Sequence, residues 1–221
     1  MPKTDEGAAL GHASFWDERY SKAGDSTEPT HEWFRDFASL EPFFEKHLFA
    51  TRKPDAKPKI LHLGSGDSVS EPMQDTVPYD LLKRGYDNQL CLDFSEVVVN
   101  LMKSRHEAEK GVTFQVGDVR DMKDLESGSI DVAFDKGTLD AMIFGSPWSP
   151  PEETMDNSGK YMKEVQRVLK DDGFFLYITY RQPHFIKPIL NRDNEWDYDM
   201  EILGGGDSSF EYYGFVLRKH K

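Results

Sequence analysis

The chain of 221 residues has a single cysteine, Cys91, so no disulfide can form within it. The apolar run QLCLDF around Cys91 suits a buried structural thiol. No apolar stretch is long enough to cross a bilayer, and no membrane partner is expected. The opening MPKTDEGAALGHASF has neither the basic start nor the apolar stretch of a secretory signal; a cytoplasmic protein is expected, with the nucleus as the other compartment. Cations are outnumbered: 27 Lys and Arg face 40 Asp and Glu, for a formal net charge of -13. That sign is wrong for tracking a phosphate backbone, so nucleic acid is not expected as a partner and basic partners are favoured. The histidines, His62 among them, lack ligand spacing, which argues against a metal site.

What is present reads as one α/β domain, with 38% hydrophobic and 30% charged residues. Short apolar runs predict buried strands at 59–64, 89–94, 112–117, 129–135 and 173–180. Helical patterns lie between them at 79–85, at 95–110 with Ser95 as N-cap, and at 159–173 with Gly173 as C-cap. Such alternation implies a Rossmann-like, doubly wound and mainly parallel sheet, with ligands at the carboxyl ends of the strands. EWDYDMEIL and FEYYGFVLRKH, joined across GGGDSS, predict a closing antiparallel pair. An N-terminal helical segment precedes the sheet, aromatic at helical spacing over 31–49, and Pro42 marks a break or a new start in it. The proline-rich stretch 145–159 is either a lip over a site or an inert connection.

KILHLGSGDSVSEPMQ, 59–74, has the look of a phosphate loop but lacks its parts. A dinucleotide site wants a third glycine, and here that position is Val69, followed by Pro72 and Pro78. No Gly-Lys-Ser/Thr follows, which excludes a P-loop. What remains is a GSG turn after the first strand, an acid ending the second, GDV after the third and DKG after the fourth: a nucleoside pocket without a phosphate. Asp93 can accept both hydroxyls of a ribose, and Asp118 an adenine amino group. Gly64 and Gly66 let the backbone approach a ligand closely.

The ordered motifs LHLGSG, LDFSEVVV, GDVRDM and DKGTLDAM resemble the class I, seven-stranded S-adenosylmethionine-dependent methyltransferases. FWDERY, EWF and above all DKGTLDA resemble the eukaryotic protein lysine methyltransferases that act on translation elongation factor 1-alpha, over roughly 15–180. The resemblance implies S-adenosylmethionine as cofactor and a protein substrate. By it, Trp16, Tyr20 and Trp33 close over the cofactor, and Gly64, Ser65 and Gly66 underlie its amino acid part. Asp93 and Phe94 hold ribose and adenine, Asp118 and Val119 bind the adenine edge, and Lys136 stands near the reaction centre, with Asp135 and Asp140 on the substrate side. Residues 1–14 form a flexible start, 15–50 a cap or lid, 59–180 the cofactor-binding core, and 181–221 the C-terminal strands and substrate side. The chain departs from the family in Ser65-Gly66-Asp67, where Cys-Gly-Asn is common, and in a longer segment at 68–84.

Other readings of the same residues stay open. Trp16, Tyr20 and Trp33 could be the apolar face of a structural cap, Lys136 a solvated lysine, and Asp140 a cap for backbone amides. The same pocket would serve a small-molecule methyltransferase or a non-catalytic cofactor-binding subunit. An Asn/Asp-Pro-Pro-aromatic motif for nucleic-acid amines is absent, since DKGT stands after the fourth strand.

Overall fold

The computed structural model describes residues 4–23, 37–67, 77–204 and 211–220. Seven strands, β1 (Ile60–Leu63), β2 (Gln89–Asp93), β3 (Val112–Val116), β4 (Ile130–Lys136), β5 (Leu169–Thr179), β6 (Trp196–Leu203) and β7 (Tyr212–Lys219), form one sheet in the order β3-β2-β1-β4-β5-β7-β6. β1 pairs with β2 and β4, β2 with β3, and β4 with β5, all in parallel. Only β7 is reversed, antiparallel to β5 and β6. The helices are α1 (Thr4–Ala9), α2 (Ala13–Ala23), α3 (Phe37–Phe44), α4 (Val77–Lys83), α5 (Glu96–Arg105), α6 (Thr138–Met142), α7 (Glu152–Val168) and α8 (Pro183–Leu190). This is the doubly wound Rossmann-like arrangement that the alternating pattern predicts. Among the described residues no helix is long and apolar enough to cross a membrane.

Alternation along the strands assigns side chains to two faces. Leu61, Leu63, Phe175 and Tyr177 pack with Tyr161 and Val165 of α7 and Ile186 of α8. Ile60, Phe134, Phe174 and Leu176 pack with Phe37, Leu40 and Phe44 of α3 and Leu81 of α4. A third cluster joins Cys91 and Phe114 to Trp16 and Tyr20 of α2 and to Val98, Val99 and Met102 of α5. Each such aliphatic or aromatic side chain contributes about 1.5–3 kcal/mol on burial.

Four local expectations are revised. β3 is an edge strand, with Thr113 and Val116 exposed, so it is buried on one face and not both. α7 starts at Glu152, which shortens the connection after α6 to 143–151; the turn-like Asn157-Ser158-Gly159 lies inside the helix. Gly173 is not a helix cap, because α7 ends at Val168 and the chain passes directly into β5. A Cβ at Gly173 would lie 3.0 and 3.1 Å from the Ile130 and Asp131 carbonyl oxygens, beside the register shift between β4 and β5, so the glycine serves close backbone approach. α3 runs through Pro42, because buried Phe37, Leu40, Phe43 and Phe44 outweigh one missing N–H, and continues into a π-helical turn over Glu45–Phe49. Ser95 caps α5 as expected, its Oγ accepting from the Val98 N–H.

Candidate active site

Strand order reverses between β1 and β4, and the crevice at their carboxyl ends is where a doubly wound sheet takes its ligand. A cleft of about 1180 Å³, open mouth included, lies there. Gly64 turns the chain out of β1 at φ +64°. A Cβ on it would lie 2.1 Å from Thr138 Oγ1, whose hydroxyl donates to the Leu63 carbonyl at 2.7 Å. The DKGT turn after β4 is thereby stapled to the GSG turn after β1.

Asp93 ends β2 as a buried residue whose two carboxylate oxygens accept from the Gly66 and Ser95 N–H groups, each at 2.9 Å. Burial is the main cause that pushes it up to about 6, assisted by the nearby charges of Asp17 and Asp67, while the two amides hold it down. Asp118, after β3, is half-buried, and Arg120 grips it through Nε at 2.9 and 3.1 Å and Nη2 at 2.7 Å. Burial works to raise this carboxyl, but the Arg120 guanidinium and amide keep it below the ordinary range.

From the N-terminal side, α2 brings Trp16 and Tyr20 to the cleft, stacked with centroids 5.8 Å apart. The indole N–H donates to the Leu10 carbonyl at 2.8 Å, and Asp17 accepts from Ser95 Oγ at 2.6 Å, fixing α2 on the start of α5. Trp33 lies outside the described residues.

The cleft also gathers Gly64, Ser65, Gly66, Phe94, Val119 and Lys136 among its walls, so every expected cofactor residue that is described faces one cavity. The expected substrate-side acids do not reach it. Asp135 is fully buried and accepts from the Thr138 and Leu139 N–H groups at 2.7 and 2.9 Å and from the Tyr161 hydroxyl at 2.6 Å. Desolvation, with Asp140 close by, pushes it up to about 7. Asp140 accepts from the Tyr177 and Thr179 hydroxyls, each at 2.7 Å, and pairs with Arg181 Nε at 3.1 Å. It caps no backbone amide among the bonds of the described residues; both acids brace α6 against β5 and α7 from behind the cleft wall. Sequence reasoning missed Arg120 and Thr138, although GDVR and DKGT place them beside the residues it named. It also missed His62, whose imidazole bonds Gln89 at 2.7 Å and which burial pushes down to about 4, hence neutral at pH 7.

A family model described as a methyltransferase domain matches residues 59–213, from just before β1 into β7, and the chain belongs to this family, the class I S-adenosylmethionine-dependent methyltransferases. More particularly, it is 33% identical over 208 residues to the mouse (Mus musculus) protein named EEF1A lysine methyltransferase 4, covering 93% of this chain and 74% of that protein. It is also 33% identical over 225 residues to a zebrafish (Danio rerio) eEF1A lysine and N-terminal methyltransferase, covering 98% of this chain and 29% of that protein. A similar solved fold, at TM-score 0.61 and 16% identity over 100% of this chain and 92% of the other, is the Burkholderia thailandensis 1,6-didemethyltoxoflavin-N1-methyltransferase with bound S-adenosylhomocysteine.

The cavity fits the cofactor of its family on its own chemistry. The Gly64 turn leaves no room for a side chain, a buried acid ends β2 with lone pairs left for hydroxyl donors, and Phe94, Val119 and Met142 offer apolar wall to a flat base. Among the described residues no cluster of three or more His, Cys, Asp or Glu is placed to hold a metal.

Proposed function

We propose that the chain transfers a methyl group to a lysine side-chain amine of a protein, and that this protein is translation elongation factor 1-alpha. One observation carries the reading: the alignment to the mouse lysine methyltransferase, 33% identical, spans 93% of the chain and so extends beyond the cofactor-binding core. The DKGTLDA stretch and the net charge of -13 support it.

S-Adenosylmethionine supplies, when bound, a methyl group already activated by the sulfonium charge. The work left to the chain is binding, alignment and exclusion of water. Asp93 accepts the ribose hydroxyls, Asp118 and Val119 meet the adenine edge, Phe94 covers the base, and Gly64, Ser65 and Gly66 leave room for the amino acid part. Trp16 and Tyr20 close the cavity from α2, with their π-faces toward cationic charge. Lys136, half-buried in the wall, stands near the reaction centre, and desolvation there favours the neutral form of an incoming amine. The neutral form is the one that can attack. Asp135 and Asp140 act at one remove, by holding α6. The reaction belongs in the cytoplasm, with the factor it modifies.

The test is incubation of the purified protein with methyl-labelled cofactor and elongation factor 1-alpha, followed by mass spectrometry. Label on a lysine of the factor is the expected result. Label that enters only the small-molecule fraction of a lysate, or cofactor binding without turnover on any protein, overturns it.

A further inference from the structure

Trp148 is 81% exposed, an unusual place for the largest apolar side chain. The loop that holds it out is built: Ser146 and Ser149 form a bridge, and the N–H and carbonyl of Phe144 are both bonded to Thr154 Oγ1 at 3.3 Å. The indole stands edge-on to Phe185 with centroids 4.8 Å apart and 6.2 Å from His184, both at the start of α8. The three rings make a ledge outside the cavity. Its two halves follow the carboxyl ends of β4 and β5, the side on which the cavity opens. Arg181 ties them together by donating to the Asp140 and Ile143 carbonyls at 3.1 and 2.6 Å.

The helix that follows the ledge opens on acids, and the nearby arginines are engaged, Arg181 by Asp140 and the Ile143 carbonyl and Arg120 by Asp118. The loop runs into Glu152, Glu153 and Asp156, all exposed, and α7 carries no cation before Lys160. Lys187 of α8 is turned away onto the Tyr198 ring at 5.4 Å. A second copy of the chain is disfavoured here, because a two-fold contact would set these acids against themselves. An indole face beside carboxylates recognises lysine or arginine.

We propose that this ledge docks the protein substrate by a basic segment, with cationic side chains over Trp148 and beside Glu152 and Glu153. The proposal rests on the protein-substrate reading above and names the surface outside the cavity that selects the protein.

Steady-state methylation of purified elongation factor 1-alpha by Trp148→Ala, and by the double variant Glu152→Lys with Glu153→Lys, tests it. Both should raise KM for the factor about tenfold or more, as expected for the loss of a desolvated cation–π contact or its charge partners. Cofactor affinity by calorimetry and melting temperature should stay at the parent's values. A parental KM in Trp148→Ala overturns the ledge alone. A dimer in the parent that Trp148→Ala dissociates, seen by sedimentation, assigns the ledge to a second copy and also overturns it. A parent that does not methylate the factor fails the substrate reading itself, and the ledge falls with it.

Discussion

Asp93 shows how one buried carboxylate can pull stability and binding in opposite directions with pH. Its folded pKa, about 6 through burial, lies above the value of an unfolded aspartate. The folded chain therefore binds the extra proton between about pH 4 and 6, and this site's contribution to stability is full below that window and lost as pH rises through it. On the proposed ribose contact cofactor binding runs the other way, because hydroxyl donors need the ionised acid as acceptor. Calorimetry should show affinity falling as pH drops through about 6, and Asp93→Ala should lose about 1.5–3 kcal/mol per hydrogen bond at neutral pH. An affinity that is flat with pH in the parent removes Asp93 from the ribose site. Gly64, Asp93 and Asp118 were legible in the sequence because strand ends in register face one crevice, whatever packs around them. Asp135 and Asp140 looked alike to that reasoning. What separates them from the cavity is the hydroxyls of Tyr161, Tyr177 and Thr179, 26 to 39 residues away along the chain, which local spacing cannot show.

At the scale of elements, α6 is five residues long and could not hold its place alone. Asp135 bonds its first amides, Thr138 staples it to β1, and the pair of buried Asp140 with half-buried Arg181 joins it to the end of β5. Arg181→Met should cost about 3–5 kcal/mol in denaturant unfolding, because it leaves Asp140 buried without its cation. Adding Asp140→Asn should recover part of that loss; an undiminished cost in the double variant would deny the coupling. α2 is a different case. Its Trp16 and Tyr20 belong to the third cluster only, while the two larger cores use no residue of α1 or α2. Deleting residues 1–23 should leave a cooperatively folded chain, by calorimetric melting, that binds cofactor at least about tenfold more weakly. A truncated chain that unfolds, or binds as the parent does, defeats the lid. The five core strands and the helices before β2, β3 and β5 were legible from periodicity, the short α6 and α8 were not, and boundaries failed where tertiary packing overrode local preference. Asn157-Ser158-Gly159 reads as a turn, yet Thr154, Ser158 and Tyr161 on one side of the helix are buried and hold α7 regular through it.

Over the whole molecule, the net charge of -13 makes association with a basic protein electrostatic at long range. Raising salt from about 0.05 to 0.5 M, where the Debye length shrinks from well over to well under 10 Å, should raise KM for the protein substrate and leave kcat unchanged. A KM insensitive to salt would detach the acidic surplus from substrate capture. The reversed strand β7 has a consequence of another kind, for synthesis. It follows β6 in the chain but lies between β5 and β6 in the sheet, so β6 has no neighbour until β7 exists. Thr179 at the end of β5 and Tyr212 at the start of β7 are 33 positions apart, which at about 5–20 residues per second leaves about 2–7 s on the ribosome. Throughout that interval the cofactor end of the sheet has all of its strands, while β5, with Phe174, Phe175, Leu176, Tyr177 and Ile178, presents an open apolar edge. The strands that frame the cleft are thus all made before the edge most prone to pairing with other chains is hidden, and a chaperone acts to best effect in those seconds.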